Sequence, residues 1–517
     1  MLEKYMPASC KGVPCQMHNP GVVGHTMQSY SRIYPGLLAL LVSALAWGLG
    51  GTPEAAAAQS PPVVTTAAGS IAGLPAQGVP DVALYRGIPF AAPPTGALRW
   101  REPQPPAQWA GVREPLAAVP ACVQPVAGSH LPWTSEYMHQ GAVSEDCLFL
   151  NVWAPKGNAG APLPVLVYIY GGGFNEGSIA VSIYDGAALA HQGAVIVEMN
   201  YRVGVLGFLA HPDLTRESAH HASGNYGLLD QVAALHWVKD NIAAFGGDPK
   251  RVTVFGQSAG AMSVYLLTAS PLAKGLFRSA IVQSGPGALA AFGVSSVKAM
   301  TQSREDLEKI GEKFSAAYGA RSIAELRAVD ALRLLSPPEG HGPPLRFGPD
   351  VDGWLLPEDA ETIYAKHQQN DVPMIIGTTA DEGSAFAGYS ATRAIELRKL
   401  SIAGIDQVLG QRAAAGSGVA YAYYFKQAIP WPEHPEFGAF HSGELPYVFD
   451  NLRLLNRPWT QADRRLATVA SAYWINFATT GNPNGKGTPK WMPYQPGSQT
   501  FMVFGKKIAE RPLRMFE

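Results

Sequence analysis

The chain has 517 residues, and its 39 lysine and arginine residues almost balance its 40 aspartate and glutamate residues, for a net charge of −1. This balance argues against binding to nucleic acid or to an anionic membrane surface, so the expected partner is a small molecule. Hydrophobic residues make up 47% of the chain, which is enough apolar material for one large core. Because no linker-like segment divides residues 59–517, we expect one large domain there.

The N-terminal segment, residues 1–58, is predicted to be a leader with a secretory signal peptide. Its apolar run at 35–47 is too short to span a bilayer comfortably, and the small residues at 55–58 form a cleavage site. An uncleaved membrane anchor is the alternative, which the lack of a basic cluster after the run disfavours. Met27 is an alternative start, because residues 1–26 are long for such a leader. The protein is therefore expected to be secreted or periplasmic, without membrane attachment after cleavage.

The four cysteines divide between the leader and the mature chain. Cys10 and Cys15 would be removed with the leader, so only Cys122 and Cys147 remain. An even pair in an exported protein favours a disulfide, and two buried free thiols are the alternative. The loop between them either lines a substrate gorge or packs onto the body of the protein through three apolar side chains, Trp133, Tyr137 and Met138.

The order of predicted elements indicates an α/β protein. Short antiparallel strands come first, at 63–66, 82–85 and within 86–94. The later strands are continuous apolar runs, as expected for a parallel sheet that is covered on both faces. These runs lie at 163–170, 194–200, 251–255, 278–283 and 372–377.

Helical patterns separate several of these strands. The clearest pattern, at 228–242, places Leu228, Val232 and Leu235 on one stripe and ends at Gly246. Residues 301–336 are also helical and amphipathic, and a late helix at 467–480 precedes a last strand at 500–504. Two segments, at about 301–345 and 384–440, are predicted to build a cap over the carboxyl edge of the sheet.

The strand at 251–255 runs into the sequence Gly256-Gln257-Ser258-Ala259-Gly260 and then into a helical segment. This G-x-S-x-G pattern between a strand and a helix is typical of a nucleophile elbow. Gly256 and Gly260 lack the Cβ atoms that would collide when strand and helix fold tightly together, and Ser258 is pushed out on the turn. Ser258 is therefore the candidate nucleophile, with a plain tight turn as the alternative.

A glycine run, Gly171-Gly172-Gly173-Phe174, directly follows the strand at 163–170. Backbone N–H groups at this position can face an oxyanion that develops during acyl transfer. We therefore expect the N–H groups of Gly172, Gly173 and Ala259 to act as oxyanion donors, and the alternative is an ordinary turn at the end of a strand.

A serine hydroxyl needs a general base, and the base needs a carboxylate that orients it. Of the 13 histidines, His441 is the candidate because it follows the candidate acid in the chain order nucleophile, acid, histidine. Glu382 is preferred to its neighbour Asp381 as that acid. Adjacent side chains of an extended segment point in opposite directions, so only one of the two can face His441, and the glutamate reaches further.

These motifs resemble the type B carboxylesterase/lipase family, which includes cholinesterases and bacterial para-nitrobenzyl esterases. The resemblance runs from about residue 63 to residue 504. Besides the elbow, the glycine run and the His441 segment, it rests on motifs at 85–94, 145–151, 225–231, 245–249 and 381–383. It implies the α/β-hydrolase fold: a large, mostly parallel sheet flanked by helices, with cap excursions and a small N-terminal antiparallel sheet.

The resemblance also implies the roles of single residues. Carried over position by position, it implies Ser258 as nucleophile, Glu382 as acid and His441 as base, with Gly172, Gly173 and Ala259 as the oxyanion hole. It further implies a Cys122–Cys147 disulfide, a supporting role for Ser284 beside the triad, and a buried carboxylate at Glu444.

The function implied is that of a serine carboxylic-ester hydrolase that forms an acyl-enzyme, needs no cofactor or metal, and is a monomer or dimer. A lipase or another serine acyl hydrolase is one alternative. A non-catalytic adhesion protein of the same superfamily is another, which the presence of all three triad residues disfavours. The segment between Glu382 and His441 is shorter than is common in the family, so cap helices are expected to be missing. A wider gorge would suit bulky or polycarboxylic esters.

Overall fold

The fold is organised around a large β-sheet in a computed structural model that describes residues 62–512, except 127, 158–159, 289–300, 337–344, 387 and 499. The predicted leader, 1–58, lies outside these residues. The sheet has eleven strands in the described part of the chain. In spatial order they are Ala509–Pro512, Thr500–Phe504, Ala420–Phe425, Met374–Thr379, Ser279–Gln283, Gly247–Gln257, Leu163–Ile169, Val195–Met199, Phe149–Pro155, Val79–Pro89 and Leu74–Ala76.

The central strands, from Val195–Met199 to Thr500–Phe504, are all parallel. Antiparallel strands are added at both edges. Every residue of Ser279–Gln283 and Met374–Thr379 is buried, because both faces of the sheet are covered. One hydrophobic core continues from Ile71 to Phe504. The predicted α/β-hydrolase fold with a mostly parallel sheet is confirmed.

A small sheet lies near the start of the described chain. The predicted strand at 63–66 is confirmed as Val63–Thr65, and it pairs antiparallel with Ser70–Ala72, which was not predicted. The third strand, Val112–Arg113, pairs in parallel. The predicted strand at 82–85 differs more, because it belongs to a single long strand, Val79–Pro89, in the large sheet. A register shift between Arg86 and Ile88 lets this strand continue past Gly87. Two-residue strands form two further small pairs, Ala121–Cys122 with Val143–Ser144 and Gln302–Ser303 with Asp350–Val351.

The α-helices of the described residues cover the sheet and connect its strands. They are Ala187–His191, Gly204–Phe208, Pro212–Glu217, Tyr226–Asn241, Ala259–Ala269, Arg304–Ala317, Ile323–Arg327, Ala360–Ala365, Ala391–Ala414, Leu445–Val448 and Gln461–Thr480. Within this set, no helix is long and apolar enough to cross a membrane. The helix Tyr226–Asn241 buries Leu228, Val232 and Leu235 as predicted.

The predicted cap at 384–440 needs a correction. It contains the helix Ala391–Ala414, but Ala420–Phe425 is a strand of the large sheet between two parallel neighbours. The strand begins with alternating alanine and tyrosine, which is a weaker apolar pattern than a run of valine and isoleucine, yet all residues from Tyr421 to Phe425 are buried. Arg398 of the helix donates a hydrogen bond to the carbonyl of Ala380, so the helix lies beside the carboxyl end of Met374–Thr379.

Candidate active site

The candidate nucleophile lies on a strained turn between a strand and a helix. Gly247–Gln257 ends directly before Ser258, and Ala259–Ala269 begins directly after it. Ser258 has φ 58° and ψ −123°, and its side chain is partly exposed. A Cβ atom at Gly260 would lie 2.0 Å from the carbonyl oxygen of Ile169, and one at Gly256 would lie 2.5 Å from the carbonyl oxygen of Gly260. The two glycines therefore allow the close approach that this turn requires.

The glycine run lies beside this turn. A Cβ atom at Gly171 would be 2.9 Å from the Cβ of Ser258, so the run passes next to the candidate nucleophile. Gly172 and Gly173 have φ angles of 100° and 62°. Among the described residues, the backbone N–H groups of Gly172, Gly173 and Ala259 make no hydrogen bond. These three N–H groups thus remain available for an oxygen atom of a substrate.

Glu382 and His441 form a buried, hydrogen-bonded pair, in which His441 Nδ1 contacts Glu382 Oε2. The other carboxylate oxygen, Oε1, accepts hydrogen bonds from Thr378 Oγ1 at 2.7 Å and from the Thr379 N–H at 2.8 Å. Burial alone would raise the pKa of Glu382, but the interaction with His441 and the hydrogen bond from the Thr379 N–H hold the pKa below its usual value. An ionised glutamate only accepts hydrogen bonds, so Nδ1 carries the ring hydrogen and Nε2 carries a lone pair.

The Nε2 side of the His441 ring faces the elbow. The Nε2 atom of His441 is 3.1 Å from the side-chain nitrogen of Gln257, the residue that precedes Ser258. The structure therefore brings the three predicted triad residues to one place, with His441 between the carboxylate and the elbow. This is the order that general-base activation of a serine needs.

Two further predicted residues, Ser284 and Glu444, lie behind the pair. The Ser284 hydroxyl makes no hydrogen bond of normal geometry, but it faces Glu382 and contributes to its lowered pKa. Glu444 is buried and accepts a hydrogen bond of 3.4 Å from Gln283 Nε2. Burial and the negative charge of Glu382 raise the pKa of Glu444 to about 7.

Asp381 points away from His441. Its carboxylate accepts hydrogen bonds from Tyr389 Oη at 2.9 Å, Arg398 Nη2 at 2.6 Å and the Ala439 N–H at 2.9 Å. Of the two adjacent acidic residues, Glu382 is thus the one that contacts the imidazole.

The loop between Cys122 and Cys147 packs onto the segment that carries His441. The two cysteines form a disulfide and are not free thiols. Trp133 Nε1 donates to the carbonyl oxygen of His441 at 3.1 Å, and Tyr137 packs edge-on against Phe440 with ring centroids 5.6 Å apart. Tyr137 therefore packs the loop onto the body of the protein, which is one of the two roles considered. Trp133 is partly exposed beside the site.

Some contacts of the site had no signal in the sequence. Gln257 lies inside the elbow motif, but the direction of its side chain depends on His441, which is distant in the chain. The hydrogen bond from Trp133 likewise depends on how the disulfide loop folds back. Thr378 and Thr379 were within the predicted acid segment, and their position shortly before Asp381 was the only available hint.

Comparisons with known proteins agree with this fold. A model of the carboxylesterase family matches residues 60–403 and 397–515. The chain is 36% identical to a fumonisin B1 esterase from Sphingopyxis macrogoltabida, over 90% of this chain and 91% of that protein. It is 35% identical to a para-nitrobenzyl esterase from Bacillus subtilis, over 86% of this chain and 95% of that protein.

A solved structure of a PNB esterase superimposes with a TM-score of 0.74 at 31% identity and covers 87% of this chain and 97% of its own. The family match spans almost all of the described residues, and both relatives align over most of their length. The chain therefore belongs to the carboxylesterase family and is a carboxylesterase, which hydrolyses the carboxylic ester bond of a small-molecule substrate.

Proposed function

We propose that this carboxylesterase works through a Ser258-His441-Glu382 triad and an acyl-enzyme intermediate. In the first step Ser258 Oγ bonds to the ester carbonyl carbon while its proton passes to His441 Nε2. The tetrahedral intermediate then releases the alcohol, which takes that proton, and the acyl group stays on Ser258. Water, activated by His441, hydrolyses the acyl-enzyme and restores the serine. The observation that carries the proposal is the Glu382 contact on Nδ1, which leaves Nε2 facing the elbow.

The N–H groups of Gly172, Gly173 and Ala259 are proposed to stabilise the oxyanion in both steps. Their support is that they make no other hydrogen bond in the described chain and lie on the two segments that flank Ser258. A single donor of this kind typically lowers the barrier by about 3 kcal/mol.

We also propose that the substrate is a bulky or polycarboxylic ester. One relative, 36% identical, is named for its action on fumonisin B1, whereas the other is named for para-nitrobenzyl esters. The connection from Glu382 to His441 supports this class as well. It contains one long helix, Ala391–Ala414, before it enters the sheet at Ala420–Phe425, which leaves little chain for a covering lid.

Rapid-mixing kinetics test the acyl-enzyme mechanism, and a panel of ester substrates tests the substrate class. During turnover of a para-nitrophenyl ester we expect a burst of nitrophenolate and, after an acid quench, an acyl adduct on the peptide that contains Ser258. Across the panel we expect kcat/KM to be highest for bulky polycarboxylic esters and lowest for long-chain triglyceride emulsions. A preference for the emulsions would instead indicate the lipase alternative.

The remaining proposals concern the extent of the mature chain, its oligomeric state and its export. Residues 59–517 are proposed to be the mature catalytic domain, a monomer or dimer, after removal of the leader on export. The support is the disulfide between Cys122 and Cys147, because such bonds persist in oxidising compartments.

A further inference from the structure

The side-chain amide of Gln257 lies against the reactive edge of the His441 ring. Gln257 is the last residue of the strand Gly247–Gln257 and is buried, and its Nε2 is 3.1 Å from His441 Nε2. Because Glu382 accepts a hydrogen bond from Nδ1–H, the lone pair of the ring is on Nε2. The amide N–H of Gln257 therefore donates to that lone pair.

This is the lone pair that must accept the proton of Ser258. A ring nitrogen offers one lone pair in the plane of the ring, so Gln257 and Ser258 compete for it. If Nε2 were protonated, its N–H would face the N–H of the amide, which is unfavourable. The contact as observed thus favours the neutral ring, which is the form that a general base needs.

We propose that Gln257 is a positioning residue that holds His441 neutral and oriented before the substrate binds, and then yields the Nε2 lone pair to Ser258. The inference rests on the proposed triad and adds a role for the residue that precedes the nucleophile. A glutamine suits this role because its amide has both a donor and an acceptor. Once His441 has taken the proton, a rotation of the amide lets Oε1 accept a hydrogen bond from the new N–H.

The other end of the amide packs close to Gly171. A Cβ atom at Gly171 would lie 3.0 Å from Gln257 Oε1, so any larger residue there would crowd the amide. The same oxygen consequently lies next to the start of the glycine run, and Gln257 connects the base with the segment that carries the oxyanion donors.

Other charged groups act on the same ring. Glu382 faces it from the segment after Met374–Thr379, and Glu444 faces it from the turn that follows His441. From the disulfide loop, Trp133 contributes an uncharged ring and a hydrogen bond to the His441 carbonyl. All of them stay unchanged when Gln257 is replaced, so a difference in pH dependence between variants reports on Gln257.

The test is the pH dependence of kcat/KM for a para-nitrophenyl ester in Gln257→Glu and Gln257→Met. Activity falls on the acid side when the base takes up a proton. In Gln257→Glu the carboxylate can only accept hydrogen bonds, so it stabilises the protonated ring. We expect the acid-side midpoint of kcat/KM to move up by about one pH unit or more. In Gln257→Met the neutral ring loses the hydrogen bond that the amide donated to it, and we expect the midpoint to shift up by about half a pH unit.

Gln231→Met is the matched control. Gln231 is also a buried glutamine, but its amide donates to Ser263 at 3.0 Å, and we expect the wild-type midpoint in this variant. An unchanged midpoint in the Gln257 variants would overturn the inference while leaving the triad intact. Substantial activity of Ser258→Ala would overturn the triad itself. Circular dichroism shows whether each variant folds. If one Gln257 variant does not fold, the pH dependence of kcat/KM in the other variant decides whether the inference holds.

Discussion

The carboxylate of Asp381 accepts a hydrogen bond of 2.9 Å from the backbone N–H of Ala439, in the segment that carries the candidate base. It also binds Arg398 and Tyr389. The next residue in the chain, Glu382, points the other way and contacts the imidazole ring. The two adjacent carboxylates therefore have different partners: Asp381 binds the backbone of the histidine segment, and Glu382 contacts the histidine ring.

Replacing each carboxylate by its amide separates these two roles. We expect Glu382→Gln to lower kcat by about 10²- to 10⁴-fold, because the base loses the charge that orients it. Asp381→Asn should cost much less activity, but it should lower the free energy of unfolding by about 1–3 kcal/mol through weakened bonds to charged and backbone groups. Steady-state kinetics and denaturant unfolding of both variants check this. If the two variants exchanged behaviour, the acid would be Asp381; if both stayed active, Glu444 would be the next candidate.

The buried carboxyl group of Glu444 makes stability depend on pH. Its pKa is about 7 in the folded protein and 4.5 ordinarily, so between these values the folded protein holds a proton that the unfolded chain releases. The bound proton therefore stabilises the folded protein at low pH, and this stabilisation is lost as the pH rises towards 7. The free energy of unfolding falls by on the order of 3 kcal/mol over this range. Glu444→Gln cannot ionise, and we expect its Tm relative to wild type to increase between about pH 5 and about pH 8.

The exposed Glu305 provides the control for this experiment. The variant Glu305→Gln should follow the wild-type dependence of Tm on pH. A constant difference in Tm between Glu444→Gln and wild type across the pH range would show that Glu444 does not titrate as described.

The two glycines of the candidate oxyanion hole should respond differently to alanine. A Cβ atom at Gly172 would lie 2.1 Å from the carbonyl oxygen of Glu176, whereas at Gly173 the nearest atom is 3.9 Å away. Gly172→Ala therefore displaces the loop, and we expect kcat to fall by about 10²- to 10³-fold. Gly173→Ala carries mainly the strain of a left-handed backbone, about 1–2 kcal/mol, and should keep more activity. Kinetics with one small ester compare them, and equal losses would contradict the steric explanation.

Export and the disulfide can be checked together on the protein isolated from the extracellular or periplasmic fraction. Intact-mass spectrometry should show that residues 1–58 are absent, and thiol alkylation without reduction should modify neither Cys122 nor Cys147. Replacing both cysteines by alanine should lower the free energy of unfolding by about 3 kcal/mol, because the loop that they close is no longer constrained in the unfolded chain. A retained leader or two reactive thiols would refute this part of the proposal.

The parts of the protein that depend on local sequence could be predicted from it. The elbow is one such part, because Gly256, Ser258 and Gly260 act within a single turn. The strands that are rich in valine and isoleucine are another, since their apolar runs reflect burial on both faces. The elbow motif, the chain order and the family resemblance together nominated Ser258, Glu382 and His441, which the fold does bring together.

The features that depend on distant partners could not be predicted in the same way. Ala420–Phe425 becomes a central strand because two other strands pair with it, and its alternating alanine and tyrosine residues do not reveal this. The opposite directions of Asp381 and Glu382 were predicted, but the partner of Asp381 was not, because Arg398 lies on a helix later in the chain. The Gln257 contact with His441 likewise exists only in the assembled site.

The central claim, that Ser258 is the nucleophile, is tested most directly by covalent labelling with an organophosphate followed by peptide mass spectrometry. We predict one adduct, on Ser258, that forms in proportion to the loss of esterase activity. Ser258→Ala should take up no label and lose about 10⁴-fold or more in kcat, whereas Ser263→Ala, a change at a buried serine of the following helix, should be labelled like wild type. An adduct on another serine, or substantial hydrolysis by Ser258→Ala, would contradict the account.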